Sequence, residues 1–239
     1  MEKKENWYYE DLPSVLSTND AVVVMLEKVK APCIVSAKVQ TNGRGRLGRK
    51  WEGYDGNLFV SFAYEILTKN IGHYAIMSAL AVLQTIRFFA PDISVLIKWP
   101  NDVLVNEKKI SGILFEKGPE NYWIMGIGIN VAKTPQIKNL LYEATSFHDL
   151  NIEINRLDVL EKLIGEFDKL KTLYEVKGFN EIKCLWLDNC YGRDKKVSII
   201  QNGNETTGVL RDLDDKGNLI LKTQQGFKTI CAGDLFKKD

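Results

Sequence analysis

The sequence predicts an α+β protein, with a large mixed-sheet domain over residues 1–190 followed by a small all-β barrel over residues 191–239. Three observations lead there. Up to about residue 190, strand-like runs are interleaved with amphipathic helical ones, as expected for a sheet with helices packed on it. Beyond Tyr191 the helical periodicity stops, and short strands are broken at Asn202-Gly203 and at Asp215-Lys216-Gly217-Asn218, which are hairpin signals. No internal repeat, low-complexity tract or long linker lies between the two parts, so they are expected to pack against each other.

The elements follow in order. Ser17 and Asp20 have capping-box spacing, and the apolar series Ala21, Val24, Met25 and Val29 continues a helix of about three turns that Pro32 stops. Ile34 to Val39 then reads as a short strand. Leu58 to Ile66 alternates and is rich in aromatic and β-branched residues, as a half-buried strand is, while Ile76, Leu80, Leu83 and Ile86 recur at helical spacing. Three strand-like runs follow, Ser94 to Asn106, Lys108 to Phe115 and Trp123 to Val131, with turn chemistry at Asn106-Glu107 and Gly118-Pro119. Leu157, Leu160, Leu163, Ile164, Phe167, Leu170 and Leu173 make residues 155–175 an amphipathic helix, and a second helix is expected after Gly178.

Bulk composition excludes several classes. Thirty-two Lys and Arg against thirty-one Asp and Glu give a net charge of +1, so the chain lacks the basic excess of a sequence-independent nucleic-acid binder. Any phosphate binding is therefore local. The N-terminus has no apolar signal-peptide core and no run approaches about 18 apolar residues, which points to a cytoplasmic protein without a membrane span. Cys33, Cys184, Cys190 and Cys231 fit neither a zinc knuckle nor a redox CxxC, and His73 and His148 have no second ligand at metal spacing.

Chemistry concentrates in three segments. QTNGRGRLGRKW at 40–51 sets Arg44, Arg46, Arg49 and Lys50 among Gly43, Gly45 and Gly48. Guanidinium forks hold phosphate or carboxylate oxygens, and glycines let backbone amides approach the same ligand. The glycines also match GxGxxG, but the residues after Gly48 do not continue as a helix, which argues against a dinucleotide fold. A merely solvated arginine loop stays open on composition alone.

The second segment, KWPNDVLVNEKKISGILFE at 98–116, places Asn101 and Asp102 directly after a proline, where they face a ligand or make an Asx turn. A lone carboxylate with a neighbouring amide suits Mg²⁺, which completes its shell with water and phosphate oxygens. Lys109 offers a point charge for carboxylate and phosphate oxygens. In the third segment, GIGIN at 126–130, two glycines clear a strand for a flat ligand or for a packed aromatic side chain, and Asn130 is placed to hydrogen-bond a purine or phosphate.

Taken in order, STN at 17–19, QTNGRGRLGRKW, KWPNDVLVNEKKISGIL and GIGIN closely resemble the biotin protein ligase family, and the C-terminal β segment resembles that family's small SH3-like domain. Asn42 stands where the family often has alanine. The resemblance implies a mixed-sheet catalytic domain of the biotin/lipoate ligase type, with ATP and Mg²⁺ as cofactors and biotin as substrate. It further implies that Ser17, Thr18, Asn19 and Gln40 meet the ureido and thiophane end of biotin, and that Gly43, Arg44, Gly45, Arg46 and Lys109 surround its carboxylate and the phosphate. Gly112 lets the biotin tail pass. Trp51, Arg49, Arg46, Asn101 and Asn130 serve the nucleotide, and Asp102 the Mg²⁺.

The implied reaction joins biotin to ATP as biotinyl-5′-AMP and then to a lysine of a biotin carboxyl carrier domain of a biotin-dependent carboxylase. Arg44, Arg46 and Lys109 neutralise charge in the first step, and a base such as Asp102 assists the acceptor lysine in the second. Regulatory members carry an N-terminal winged helix. The signature here begins at Ser17, so a ligase without repressor duty or DNA partner is expected, as a monomer or homodimer. A lipoate or octanoyl ligase, a nonenzymatic sensing binder and a DNA-binding repressor are the competing readings.

Overall fold

A computed structural model describes residues 2–4, 7–66, 70–135 and 143–238. The chain opens with β1 (Glu2–Lys4), β2 (Trp7–Val15), α1 (Thr18–Val29) and β3 (Cys33–Gln40). There follow β4 (Leu58–Glu65), α2 (Ile71–Phe89), β5 (Val95–Lys98), β6 (Asp102–Val105), β7 (Lys108–Lys117) and β8 (Tyr122–Ile129). Two helices, α3 (Arg156–Lys177) and α4 (Phe179–Asp188), precede β9 (Lys196–Gln201), β10 (Asn204–Leu213), β11 (Leu219–Thr223), β12 (Gly226–Ile230) and β13 (Asp234–Lys237).

The first sheet has the order β1-β2-β3-β4-β8-β7-β6-β5. It is mixed because β2 and β3 run parallel, joined by α1 as a crossover, while its other ladders are antiparallel. Its two faces separate cleanly along β3. Ile34 joins the core under α2, α3 and α4, whereas Cys33 and Val35 pack with Val22, Met25 and Leu26 of α1 on the other face. Each faces its own layer because strand side chains alternate.

The expected elements are present, with three differences. Ser17 caps α1, but its hydroxyl accepts from the amide of Asn19 at 3.3 Å, one position short of the capping-box pattern. The run from Ser94 to Asn106 is two strands, not one, since Lys98 pairs with Asp102 across a turn at Trp99-Pro100-Asn101. A proline without an N–H cannot extend a ladder there, and the apolar residues on either side hid the break. Residues 7–15 form a strand that the sequence pattern does not announce, because Glu10, Asp11 and Pro13 interrupt its alternation. Asp11 is held instead by Arg156 at 2.6 Å and by the Ser36 hydroxyl at 2.6 Å.

The C-terminal sheet is antiparallel, in the order β12-β11-β10-β9-β13, and is bent by a bulge between Leu210 and Asp212. Its turn at Asn202-Gly203 has positive φ at both residues, 49° and 78°, as a two-residue hairpin turn demands. Val197, Ile199, Leu210 and Leu221 share one buried cluster with Trp186 and the α2–α3 layer. At the seam, His73 of α2 donates from Nε2 to the Asp215 carbonyl at 2.7 Å and stacks on Phe179. No helix among the described residues is long and apolar enough to cross a membrane.

Candidate functional site

A cavity of about 540 Å³ opens between the start of α1, the end of β3, the following arginine loop, β7, β8 and the tip of β13. Its floor is a pair of glycines, Gly112 of β7 and Gly128 of β8, which lie opposite each other in register. The Trp51 indole lies on that floor. A Cβ at Gly128 would come within 2.5 Å of the indole, and one at Gly112 within 2.8 Å, so the two glycines and the tryptophan are one packing unit. Trp51 Nε1 is buried there without a hydrogen-bond partner among the described residues.

The loop that delivers Trp51 is pinned at its stem. Trp51 N donates to the Gly43 carbonyl at 2.9 Å, and Gly45 N to the Arg49 carbonyl at 2.6 Å. Leu47 sits at the exposed tip with φ 58°, a left-handed conformation.

One end of the cavity is neutral and hydrogen-bonded. The Gln40 side-chain carbonyl accepts from Thr18 N at 2.8 Å and from the Thr18 hydroxyl at 3.1 Å. Ser61, fully buried, stands 2.8 Å from Thr18 Oγ1 and donates to Asn19 Oδ1 at 2.5 Å. Asn19 Nδ2 donates to Glu116 at 2.5 Å, and the absence of a side chain at Gly126 makes room for its amide, since a Cβ there would meet Asn19 Oδ1 at 2.2 Å.

The other end is ionic. Lys109 Nζ lies 2.7 Å from Asp102 Oδ1 and 5.3 Å above the Trp51 ring. Arg46 donates to Asn101 Oδ1 at 3.0 Å and to the Gly233 carbonyl at 3.3 Å, with Asp234 at 3.9 Å. Arg49 pairs directly with Asp234. Burial pulls the Arg46 guanidinium below its ordinary value, against the pull of Asp234 and Asp102. Lys98, 2% exposed, stands behind this group beneath Phe236, and burial lowers its ammonium to about 7.

Of the residues of the three segments and the 17–19 helix start singled out from the sequence, Gly43 and Gly48 do not line this cavity, and the Gly43 carbonyl anchors Trp51 instead. Arg44 is at the rim, and its guanidinium is already forked between Asp20 and Glu116. The hydrogen bonds to those two carboxylates raise its affinity for its proton further. Asn130 is buried and spends its Nδ2 on the Thr145 carbonyl at 2.9 Å. Sequence reasoning missed Ser61, Lys98, Glu116 and Asp234. Lys98 and Glu116 are the two ends of the 98–116 segment and were within reach, whereas nothing near Asp234 in sequence marks it as a partner for arginines more than 180 residues earlier.

Residues 12–130 match the biotin/lipoate A/B protein ligase family, and residues 194–238 match the biotin protein ligase C-terminal domain. The chain is 33% identical over 236 residues to the bifunctional ligase/repressor BirA of Bacillus subtilis, covering 92% of this chain and 71% of that protein. The chain belongs to the biotin protein ligase family. Within that family it is also 28% identical to the biotin–[acetyl-CoA-carboxylase] ligase of Paracoccus denitrificans, covering 92% of this chain and 96% of the other. A solved biotin protein ligase from Aquifex aeolicus, in complex with biotin and ATP, superposes with a TM-score of 0.84 at 29% identity, over 98% of this chain and 100% of that one.

Proposed function

We propose that this chain is an ATP-dependent biotin protein ligase that makes biotinyl-5′-AMP and passes the biotinyl group to a lysine of a biotin carboxyl carrier domain. The observation that carries the proposal is the cavity itself, in which a buried neutral end and a cationic end meet across a glycine floor. Its volume suits a small acid and a nucleotide lying head to tail.

The neutral end takes the fused ring through Thr18, Asn19 and Gln40, and Ser17, buried at the same helix start, contributes its backbone. The valeryl tail passes Gly112, which adds no side chain of its own, alongside the Trp51 indole and the Lys109 stem that pack there. At the cationic end Arg46, Arg49 and Lys109 neutralise the biotin carboxylate and the triphosphate, which otherwise repel each other. The carboxylate oxygen attacks the α-phosphorus, the bond to the β-phosphate bridging oxygen breaks, and pyrophosphate leaves. In the second step the neutral carrier amine attacks the acyl carbon, AMP departs with the bonding pair, and the amine proton passes to a base, for which Asp102 is the carboxylate beside Lys109.

The donor set fits an ion carried mainly by phosphate. Among the described residues no three His, Cys, Asp or Glu side chains gather as a metal site, and Asp102 supplies one carboxylate to the cavity. Mg²⁺ bound there would shield the phosphate oxygens, with Asp102 as a ligand and Asn101 beside it.

The test is to incubate the protein with ATP, Mg²⁺ and a biotin carboxyl carrier domain, with biotin in one tube and lipoate in another, and to weigh the carrier. An ATP-dependent gain with biotin alone is the expected result. A gain with lipoate would transfer the reading to the lipoate branch, and no gain from either acid would favour a nonenzymatic binder.

A further inference from the structure

Glu116 is not part of the cavity lining, yet it ties together two residues that are, Asn19 and Arg44. Its Oε2 accepts from Asn19 Nδ2 at 2.5 Å and from Arg44 Nη2 at 2.8 Å, and its Oε1 accepts from Arg44 Nε at 3.0 Å. Asp20 takes Arg44 Nη1 at 2.9 Å and Nη2 at 2.7 Å. Four of the five guanidinium N–H groups are thereby spent on two carboxylates, which leaves Arg44 one donor for any ligand. Arg44 is thus a tie between α1, the loop stem and β7.

A carboxylate only accepts, so Asn19 can turn nothing but its NH₂ toward Glu116, and its Oδ1 must face the Ser61 hydroxyl. The amide, pressed against Gly126, then offers one N–H and one oxygen lone pair at fixed places. A cyclic urea, with N–H and C=O on one rigid ring, can read such an oriented amide. A dithiolane ring has neither group.

We propose that Glu116 is the positioning residue that sets selectivity for a urea-ring acid, by fixing the orientation of Asn19 while its salt bridge to Arg44 holds the loop stem in place. The inference rests on the biotin ligase reading and assigns a determinant of its acid specificity. Glutamine at this position could donate or accept, so the Asn19 amide would no longer have one preferred orientation.

The experiment measures biotin-dependent pyrophosphate release and biotin binding by calorimetry for the wild-type chain, Glu116→Gln, Glu116→Asp and Asp20→Asn. For Glu116→Gln the KM for biotin should rise about tenfold, the loss of one well-placed hydrogen bond, while kcat and the KM for ATP stay within about twofold. Discrimination between biotin and lipoate should shrink by a similar factor. Glu116→Asp, which keeps the charge but shortens the reach, should show the same split and serves if the glutamine variant does not fold. Asp20→Asn, which leaves the Asn19 contact intact, should keep the KM for biotin within about twofold of wild type. Equal losses in both KM values and kcat, or a tenfold rise in the KM for biotin in Asp20→Asn, would overturn the proposal. A wild-type chain that neither binds biotin nor releases pyrophosphate with it would instead overturn the biotin ligase reading, and this inference with it.

Discussion

At the neutral end of the cavity Thr18, Asn19 and Ser61 are buried, with Thr18 bonded to Gln40 and Ser61 to both Thr18 and Asn19, whereas at the cationic end Arg46, Arg49 and Lys109 are held by Asp234, Asp102 and the Gly233 carbonyl. The neutral end is satisfied with or without a ligand, so a ring that enters adds bonds to a finished network. The cationic end is held mainly by acidic side chains of the protein itself, with Asn101 and the Gly233 carbonyl also bonded to Arg46. Phosphate entering there must exchange with Asp234 and Asp102, and the gain is the difference between two charged partners. On the proposed reading the first end supplies selectivity and the second supplies chemistry.

The sharpest way to break this contrast is Arg46→Ala. It removes a partly buried donor from the cationic end, and biotin-dependent pyrophosphate release should fall by about 10² to 10³, a larger loss than in biotin affinity. Near-normal release would take Arg46 out of the chemistry. At the neutral end, Ser61→Ala leaves Asn19 Oδ1 and Thr18 Oγ1 short of a partner and should cost about 1–3 kcal/mol of stability, read by denaturant unfolding. Its effect on the KM for ATP should be negligible.

How much of this contrast was legible in the sequence follows the range of the interactions. The glycine-arginine loop, Lys109 and the 126–130 strand are local patterns, and the residue types announce an anion and a flat surface before any fold is known. The neutral network is different. Ser61 belongs to a strand with no motif and matters only because β4 runs between β3 and β8. Asp234 and Gly233 reach the arginines because the C-terminal sheet packs over the loop, a contact across more than 180 residues. The missed β2 and the β5–β6 hairpin have a similar origin, since neither carries a periodicity of its own and both are fixed by neighbouring strands.

Two solution conditions sharpen the comparison further. Raising the salt from about 50 mM to about 500 mM shrinks the Debye length well below 10 Å, and the KM for ATP should climb several-fold while that for biotin, which brings a single carboxylate, rises less. An equal rise in both would show that charge governs biotin binding as strongly as ATP binding. The smallest effect is a slope. Burial lowers Lys98 to about 7, while the unfolded chain keeps that proton to about 10.4. Between those values the unfolded state binds more protons, so stability rises with pH through this window, and below about 7 the full cost of the buried charge is present. Lys98→Met should flatten the rise, as judged by urea unfolding at pH 7 and pH 9.5, and an unchanged slope would remove Lys98 as its source.

The most direct test of the two-ended cavity omits the carrier. The protein is mixed with biotin and MgATP, desalted, and examined by mass spectrometry for retained biotinyl-5′-AMP, with pyrophosphate followed in parallel. One retained adenylate per chain, formed only when both substrates are present, is the predicted result. Pyrophosphate release from ATP without biotin, or retention of unreacted biotin and ATP side by side with no adenylate, would contradict it.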